Sequence, residues 1–285
     1  RAHLINKIGK SKFAPHVLTM TATPIPRTVA LTLYGDLDLT VLTELPKGRQ
    51  PITTWIVSEQ KREGAYNWIN KQIQTKKVQV YLICPLIEES FVDSMLQVKA
   101  ATKEFEKIKS LFPEIRIGLL HGRQKADEKN KSLDELKKGN LDMLVATPVV
   151  EVGIDVPNAT IIIIEAAERF GLAQLHQLRG RVGRGTQKSY CLLFTETKGQ
   201  KVKSRLMALQ KTLSGFELSE LDLKLRGPGE MFGFKQHGFP ELKIASWQDA
   251  ELIADSKSLT EEVLTNRSDY KLLFRKLNWD KIILN

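Results

Sequence analysis

The sequence predicts an open α/β domain on a parallel β-sheet, followed by helical segments. Three observations predict it. Six short runs rich in β-branched and apolar residues recur along the chain, at 53–57, 78–84, 116–120, 143–146, 160–164 and 190–194. Most are continuously apolar rather than alternating, which is the pattern of strands covered on both faces. Helical patterns lie between them, at 61–74, 97–111, 126–138 and 172–178, so strand and helix alternate at the spacing of βαβ units. The domain is expected over 55–197. Before it, the Pro- and Gly-interrupted stretch 47–54 reads as a linker. Residues 1–46 hold only a strand, a loop and a helix, too little for a domain, and read as the end of one. After 198, helical segments flank a Gly-rich stretch and the chain ends in a helical tail at 285.

The composition narrows the function classes. Of 285 residues, 42% are hydrophobic and 27% charged, which excludes disordered and low-complexity classes. The 43 Lys and Arg against 33 Asp and Glu leave a net charge of +10. A basic balance of that size suits a polyanion such as nucleic acid or phosphate, and equally a well-solvated basic surface. Cys84 and Cys191 sit in apolar runs and form neither a disulfide framework nor a zinc site, which fits a reducing compartment. No stretch has the apolar length of a membrane span. There is no signal peptide, and the chain begins with Arg1 rather than Met, as a piece of a longer protein would.

The strongest chemical signal is Gln177-Leu178-Arg179-Gly180-Arg181-Val182-Gly183-Arg184. On a continuous helix, Gln177, Arg181 and Arg184 fall on one polar face, with Leu175, Leu178 and Val182 on the opposite, core-facing side. The glycines weaken such a helix by about 1 kcal/mol each but permit close backbone approach. Guanidinium groups presented this way suit a triphosphate. A basic surface helix fits the same residues.

Three other segments carry polar residues where ligands bind. Ala146-Thr147-Pro148 follows a buried strand, and strand C-termini are where α/β sheets place ligands. Thr147 there can donate to a backbone phosphate, while Gly153 and Asp155 make a tight polar turn; an ordinary strand-to-loop turn fits equally. His121-Gly122-Arg123 also follows a strand, with His121 either structural or, beside Arg123, a phosphate contact. Arg226-Gly227-Pro228-Gly229-Glu230, with Gln236 downstream, makes a sharp turn and loop, or a plain surface turn.

Together these segments resemble the superfamily 2 helicases, and within them the RecG family of ATP-dependent DNA helicases. Gln177 to Arg184 match helicase motif VI with Arg179 at a variable position, and residues 146–157 resemble motif V, with Pro148 departing from the expected threonine. Thr21-Ala22-Thr23-Pro24-Ile25-Pro26-Arg27-Thr28 resembles motif III, although a proline-capped helix start fits it too. The stretch 222–238 resembles the translocation motif that RecG shares with the transcription-repair coupling factor. Leu31-Thr32-Leu33-Tyr34-Gly35-Asp36-Leu37-Asp38 and Pro228 favour RecG.

The resemblance implies a RecA-like helicase lobe at 55–197, with 1–46 as the end of a first motor lobe and 198–285 as a helical hairpin, translocation loop and tail. It implies that Gln177, Arg181 and Arg184 reach a nucleotide on the other lobe. Gly153, Asp155, Thr21 and Thr23 would couple nucleotide to nucleic acid, and Thr147, Arg123, His121 and Arg27 would contact DNA. Arg226, Gly227, Gly229, Glu230 and Gln236 would link lobe closure to DNA movement. ATP and Mg2+ are the implied cofactors, held mainly upstream, because neither Gly9-Lys10-Ser11 nor Asp134-Glu135 has the context of a phosphate loop or magnesium box. The implied partners are branched DNA (forks and Holliday junctions) and the protein's own wedge and first motor lobe. The expected protein is a monomer of the bacterial cytoplasm, and this portion alone is expected to be inactive. A non-hydrolysing nucleic-acid-binding module, a partner-binding fragment and a transcription-repair motor are the rival readings.

Overall fold

The computed structural model describes residues 50–85, 93–148, 156–197, 199–226 and 250–277, with isolated positions at 18, 20, 40, 42 and 48. Six strands form one sheet: β1 (Thr53–Ser58), β2 (Gln79–Ile83), β3 (Ile117–Leu120), β4 (Met143–Ala146), β5 (Ala159–Ile164) and β6 (Tyr190–Thr195). Their order is β1-β6-β5-β2-β4-β3. Every neighbouring pair is parallel, as the continuous apolar runs predict. β5 is buried at all six positions. Each fully buried Ile or Leu in such a strand contributes roughly 1.5–3 kcal/mol of burial. All six predicted runs are strands. β1 takes up Thr53 and Thr54, so the expected linker 47–54 is too long at its C-terminal end.

Among the described residues, eight α-helices accompany the sheet: α1 (Arg62–Lys76), α2 (Asp93–Leu111), α3 (Ala126–Lys137), α4 (Leu172–Arg179), α5 (Gln200–Lys211), α6 (Gly215–Arg226), α7 (Ala250–Thr265) and α8 (Lys271–Leu277). One sheet face packs on α1 and α2 through Tyr66, Ile69, Ile73 and Ile108. The other packs on α3, α4, α5 and α6 through Leu133, Leu136, Leu175, Leu206 and Leu218. The chain moves across the sheet in one direction through α1 and α2 and returns through α3 and α4 on the opposite face. Right-handed crossovers require that division of helices between faces.

Gln79 is the one polar side chain inside β2, and it is buried. Its amide donates to the carbonyls of Leu136 and Leu141, which ties the strand to the end of α3. Gly139 follows that helix end with φ +79, where its amide donates to Leu136 O at 3.0 Å. A left-handed glycine there closes the helix without the steric cost of a Cβ.

Candidate nucleotide and nucleic-acid sites

All six strands run the same way, so the molecule has one edge of strand C-termini and one of strand N-termini. The C-terminal edge carries the loop after β3. His121 N donates to Gln124 Oε1 at 3.0 Å, and Gln124 Nε2 donates to Leu119 O at 3.1 Å. Lys129 Nζ reaches Gly122 O at 2.7 Å. Lys125 N donates to Glu128 Oε2 at 3.2 Å, closing the first turn of α3. The loop is held by its own side chains, with Arg123 exposed at its tip.

Thr147 stands beside this loop, one residue beyond β4, where its amide donates to Leu120 O at 3.1 Å. Leu120 and Ala146 are register partners, so His121 and Thr147 leave the sheet side by side. Thr147 is 2% exposed. Thr147 Oγ1 and His121 Nδ1 are both buried without a hydrogen-bond partner. An orphaned buried polar atom costs about 1–3 kcal/mol, and with Glu168 Oε2, just after β5, three such atoms gather at this edge and call for an explanation. Burial, and then Lys129, hold the His121 imidazole below its ordinary pKa.

Glu165, the residue after β5, is a functional-edge group that the sequence reading passed over. It is 8% exposed. Arg62 Nη1 donates to both of its oxygens at 2.9 and 2.8 Å, and Tyr66 Oη donates to Oε1 at 3.0 Å. Burial raises the carboxyl above its ordinary range, and the Arg62 guanidinium opposes that rise. The same guanidinium lies 4.8 Å from the Phe194 ring centre. Ala166 follows in the left-handed region at φ 45, a strained position for a residue with a Cβ. The only sequence signal is a charge abutting the run Ile161-Ile162-Ile163-Ile164.

The motif-VI-like segment lies at the opposite edge. α4 is continuous only to Arg179, which corrects the expectation of one helix through Arg184. Gly180 caps it, donating to His176 O at 3.0 Å, and the chain then turns. Gly183 has φ +74, and a Cβ there would sit 2.8 Å from Ile52 Cγ1. A Cβ on Gly185 would sit 3.1 Å from Pro157 O. These contacts set the turn against the entries to β1 and β5. Leu175, Leu178 and Val182 are buried as expected. Gln177 and Arg181 are half-buried and Arg184 is exposed. The arginines therefore leave a glycine-shaped turn rather than a helix face, at the edge opposite His121 and Thr147 and displaced from them across the sheet.

Arg179, expected at a variable position, is 2% exposed. Its Nη1 donates to Leu209 O at 2.6 Å and Thr212 O at 3.0 Å, and Nη2 lies 3.0 Å from His176 Nδ1. It bolts the end of α4 to the junction of α5 and α6. At the other end of α4, Arg205 on α5 donates to Glu168 O. No motif could flag Arg179, because its acceptors are backbone carbonyls about thirty residues away.

Arg226 ends α6. Gly227, Gly229, Glu230, Gln236, Gly153, Asp155, Thr21, Thr23 and Arg27 lie outside the described residues, as does Gly9-Lys10-Ser11. Asp134 and Glu135 are mid-helix in α3, as expected. Among the described residues no group of His, Cys, Asp or Glu could hold a metal ion. None of the described helices is long and apolar enough to cross a membrane. Cys84 and Cys191 are buried free thiols whose pKa burial pushes up.

Comparison with known proteins agrees with this geometry. Residues 65–186 match the helicase conserved C-terminal domain, and residues 212–283 match the C-terminal part of domain 3 of the ATP-dependent DNA helicase RecG. The ATP-dependent DNA helicase RecG of Synechocystis is 48% identical over 253 residues, covering 88% of this chain and 30% of the relative. That of Pasteurella multocida is 46% identical, covering 99% of this chain and 41% of the relative. The chain thus spans well under half the length of these relatives. Among solved structures, RecG bound to a three-way DNA junction superposes with a TM-score of 0.65 at 39% identity, over 85% of this chain and 32% of that one.

Proposed function

Since the chain belongs to the RecG family, matching its members at 46–48% identity, we propose that it supplies the second motor lobe and translocation segment of an ATP-dependent helicase that unwinds and branch-migrates DNA at forks and recombination junctions. The observation that carries this reading is the pairing of orphaned Thr147 Oγ1 and His121 Nδ1 at the C-terminal edge. A phosphate oxygen of a DNA backbone completes Thr147 as a donor, and His121 joins it in its Nδ1-protonated form. Arg123 adds positive charge at the loop tip. Contacts of this kind position the duplex without reading its sequence.

The other edge serves the nucleotide. ATP with Mg2+, when bound, supplies the phosphoryl group and its charge. Arg181 and Arg184 fit that role from outside the binding lobe: each is a guanidinium at or near the surface, on a backbone set by Gly180 and Gly183. Gln177, half-buried near the end of α4, joins them as a nucleotide contact. Gly153 and Asp155, in the motif-V-like stretch, and Thr21, Thr23 and Arg27, in the motif-III-like stretch, are assigned by the resemblance alone. Arg179 and Arg205 hold α4 to α5, so a displacement of the arginine turn is passed to α6 and on to Arg226, Gly227, Gly229, Glu230 and Gln236. Divided between two lobes, the active site gives this chain no turnover by itself. The protein works as a monomer in the bacterial cytoplasm, with its own first lobe and wedge as partners.

The test uses the parent protein and this chain side by side with a three-way junction and ATP. The chain alone is expected to bind the junction with a salt-dependent affinity and to release no phosphate. Phosphate release by the chain alone that Arg184→Ala abolishes would overturn the two-lobe reading.

A further inference from the structure

Among the described residues β1 is an edge strand, and its outer side is the floor of a groove. Thr53 N donates to Ser189 O on β6 at 3.0 Å, so the main-chain groups of Thr53, Trp55 and Val57 face β6. Those of Thr54, Ile56 and Ser58 therefore face away. Gln210 on α5 donates its side-chain amide to Thr54 O at 3.0 Å, occupying the place of an incoming strand's donor. Among the described residues no strand pairs with the rest of that edge. The edge sequence Thr53-Thr54-Trp55-Ile56-Val57-Ser58 holds none of the charges or prolines that proteins use to blunt an open strand.

Beside this edge lies a cavity of about 420 Å³ walled by α1 on one side and Gln210 on the other. Its aromatic wall is a mutual cluster. The ring centres of Trp55 and Trp68 are 5.1 Å apart, those of Trp55 and Tyr190 5.1 Å, and those of Trp68 and Tyr190 5.0 Å. Trp55 is 37% exposed. Gly64 in the lining faces open space, with nothing within 4 Å of where a Cβ would sit. Lys61 is the charged residue in the lining.

We propose that this groove docks an extended peptide strand from a partner protein, pairing with Ile56 and Ser58, placing an apolar or aromatic side chain against Trp55 and Trp68, and presenting a carboxylate to Lys61. The main-chain donor and acceptor at Ile56 select a strand over a nucleic acid, whose recognition needs no such ladder. Side chains on alternate residues of a strand share a face, so the carboxylate falls two residues from the apolar anchor. The surface lies along the outer strand, between the two edges.

The probe is a fluorescein-labelled peptide, Thr-Val-Thr-Phe-Thr-Glu-Thr-Thr, titrated with the 285-residue chain by anisotropy. Saturable binding is expected, with Kd on the order of 10–100 μM. N-methylation of the peptide amides that face β1 is expected to weaken it by about tenfold or more. Lys61→Glu, at an exposed position, is expected to switch preference to the peptide carrying Lys in place of Glu. Three results would overturn the proposal: no saturation by about 1 mM, binding indifferent to N-methylation, or displacement of the peptide by oligothymidylate, which would make the groove a nucleic-acid surface.

Discussion

The two edges of the sheet are built in opposite ways. At the C-terminal edge, polar groups are buried and held by their neighbours: Gln124 and Lys129 lock the loop after β3. Arg62 and Tyr66 there hold Glu165, and three polar atoms, His121 Nδ1, Thr147 Oγ1 and Glu168 Oε2, are left without partners. At the N-terminal edge, the turn after α4 has little regular structure. Its course follows from glycines pressed against Ile52 and Pro157, and Arg184 projects to the surface. The first edge bears a stability cost for its unsatisfied buried polar atoms. Among the described residues, the second carries no such buried orphan at its arginines: Arg184 is exposed, and its Nε donates to Gly180 O at 3.5 Å. On the proposed reading, the first construction suits continuous contact with a ligand and the second suits completion by another lobe.

The largest effect that can break this comparison is at Glu165. Arg62→Ala leaves a buried carboxylate unpaired and is expected to destabilise the chain by about 3–5 kcal/mol, read from urea unfolding. A loss below about 1 kcal/mol would mean that the C-terminal edge is not held rigid by this pair. Arg179→Ala comes next, at about 3 kcal/mol, since it orphans the carbonyls of Leu209 and Thr212. Arg184→Ala, five residues on, is expected to fall within about 0.5 kcal/mol of wild type. The contrast sharpens the point that neighbouring arginines of one motif hold different jobs. Thr147→Val is expected to act with the opposite sign. Removing an orphaned hydroxyl stabilises the fold by about 1 kcal/mol, seen as a higher denaturation midpoint, while DNA binding by the parent protein weakens.

The smallest effect is a pH dependence. Burial, then Lys129, depress the His121 pKa in the fold, so the unfolded chain takes up the proton first. The stability contribution is complete above the unfolded value near 6.5 and is lost as pH falls through the window below it. Wild type is therefore expected to lose more Tm than His121→Gln between about pH 8 and 5, compared by thermal melts.

Much of this was legible in the sequence, for physical reasons that also explain the misses. Runs such as Ile161-Ile162-Ile163-Ile164 announce strands because only a doubly covered strand buries every side chain in succession. His121 and Thr147 were found because each follows such a run. The end of α4 was misread because the apolar spacing Leu175, Leu178, Val182 continues to the core after the backbone has left the helix. Side-chain period records which face is buried, not whether the hydrogen-bond ladder persists. Arg179 and Glu165 were missed because their partners are distant in sequence: carbonyls near the α5–α6 junction for one, α1 for the other.

The measurement closest to the central claim separates the edges in one protein. In the parent enzyme with a three-way junction, kcat for ATP hydrolysis and the Kd for DNA are measured for wild type, Arg184→Ala and Thr147→Val. Arg184→Ala is expected to lower kcat by about a hundredfold or more with DNA affinity unchanged. Thr147→Val is expected to weaken DNA binding several-fold, with kcat at saturating DNA retained. If both variants lost DNA affinity together, or if Arg184→Ala hydrolysed ATP at the wild-type rate, the division of labour between the two edges would be contradicted.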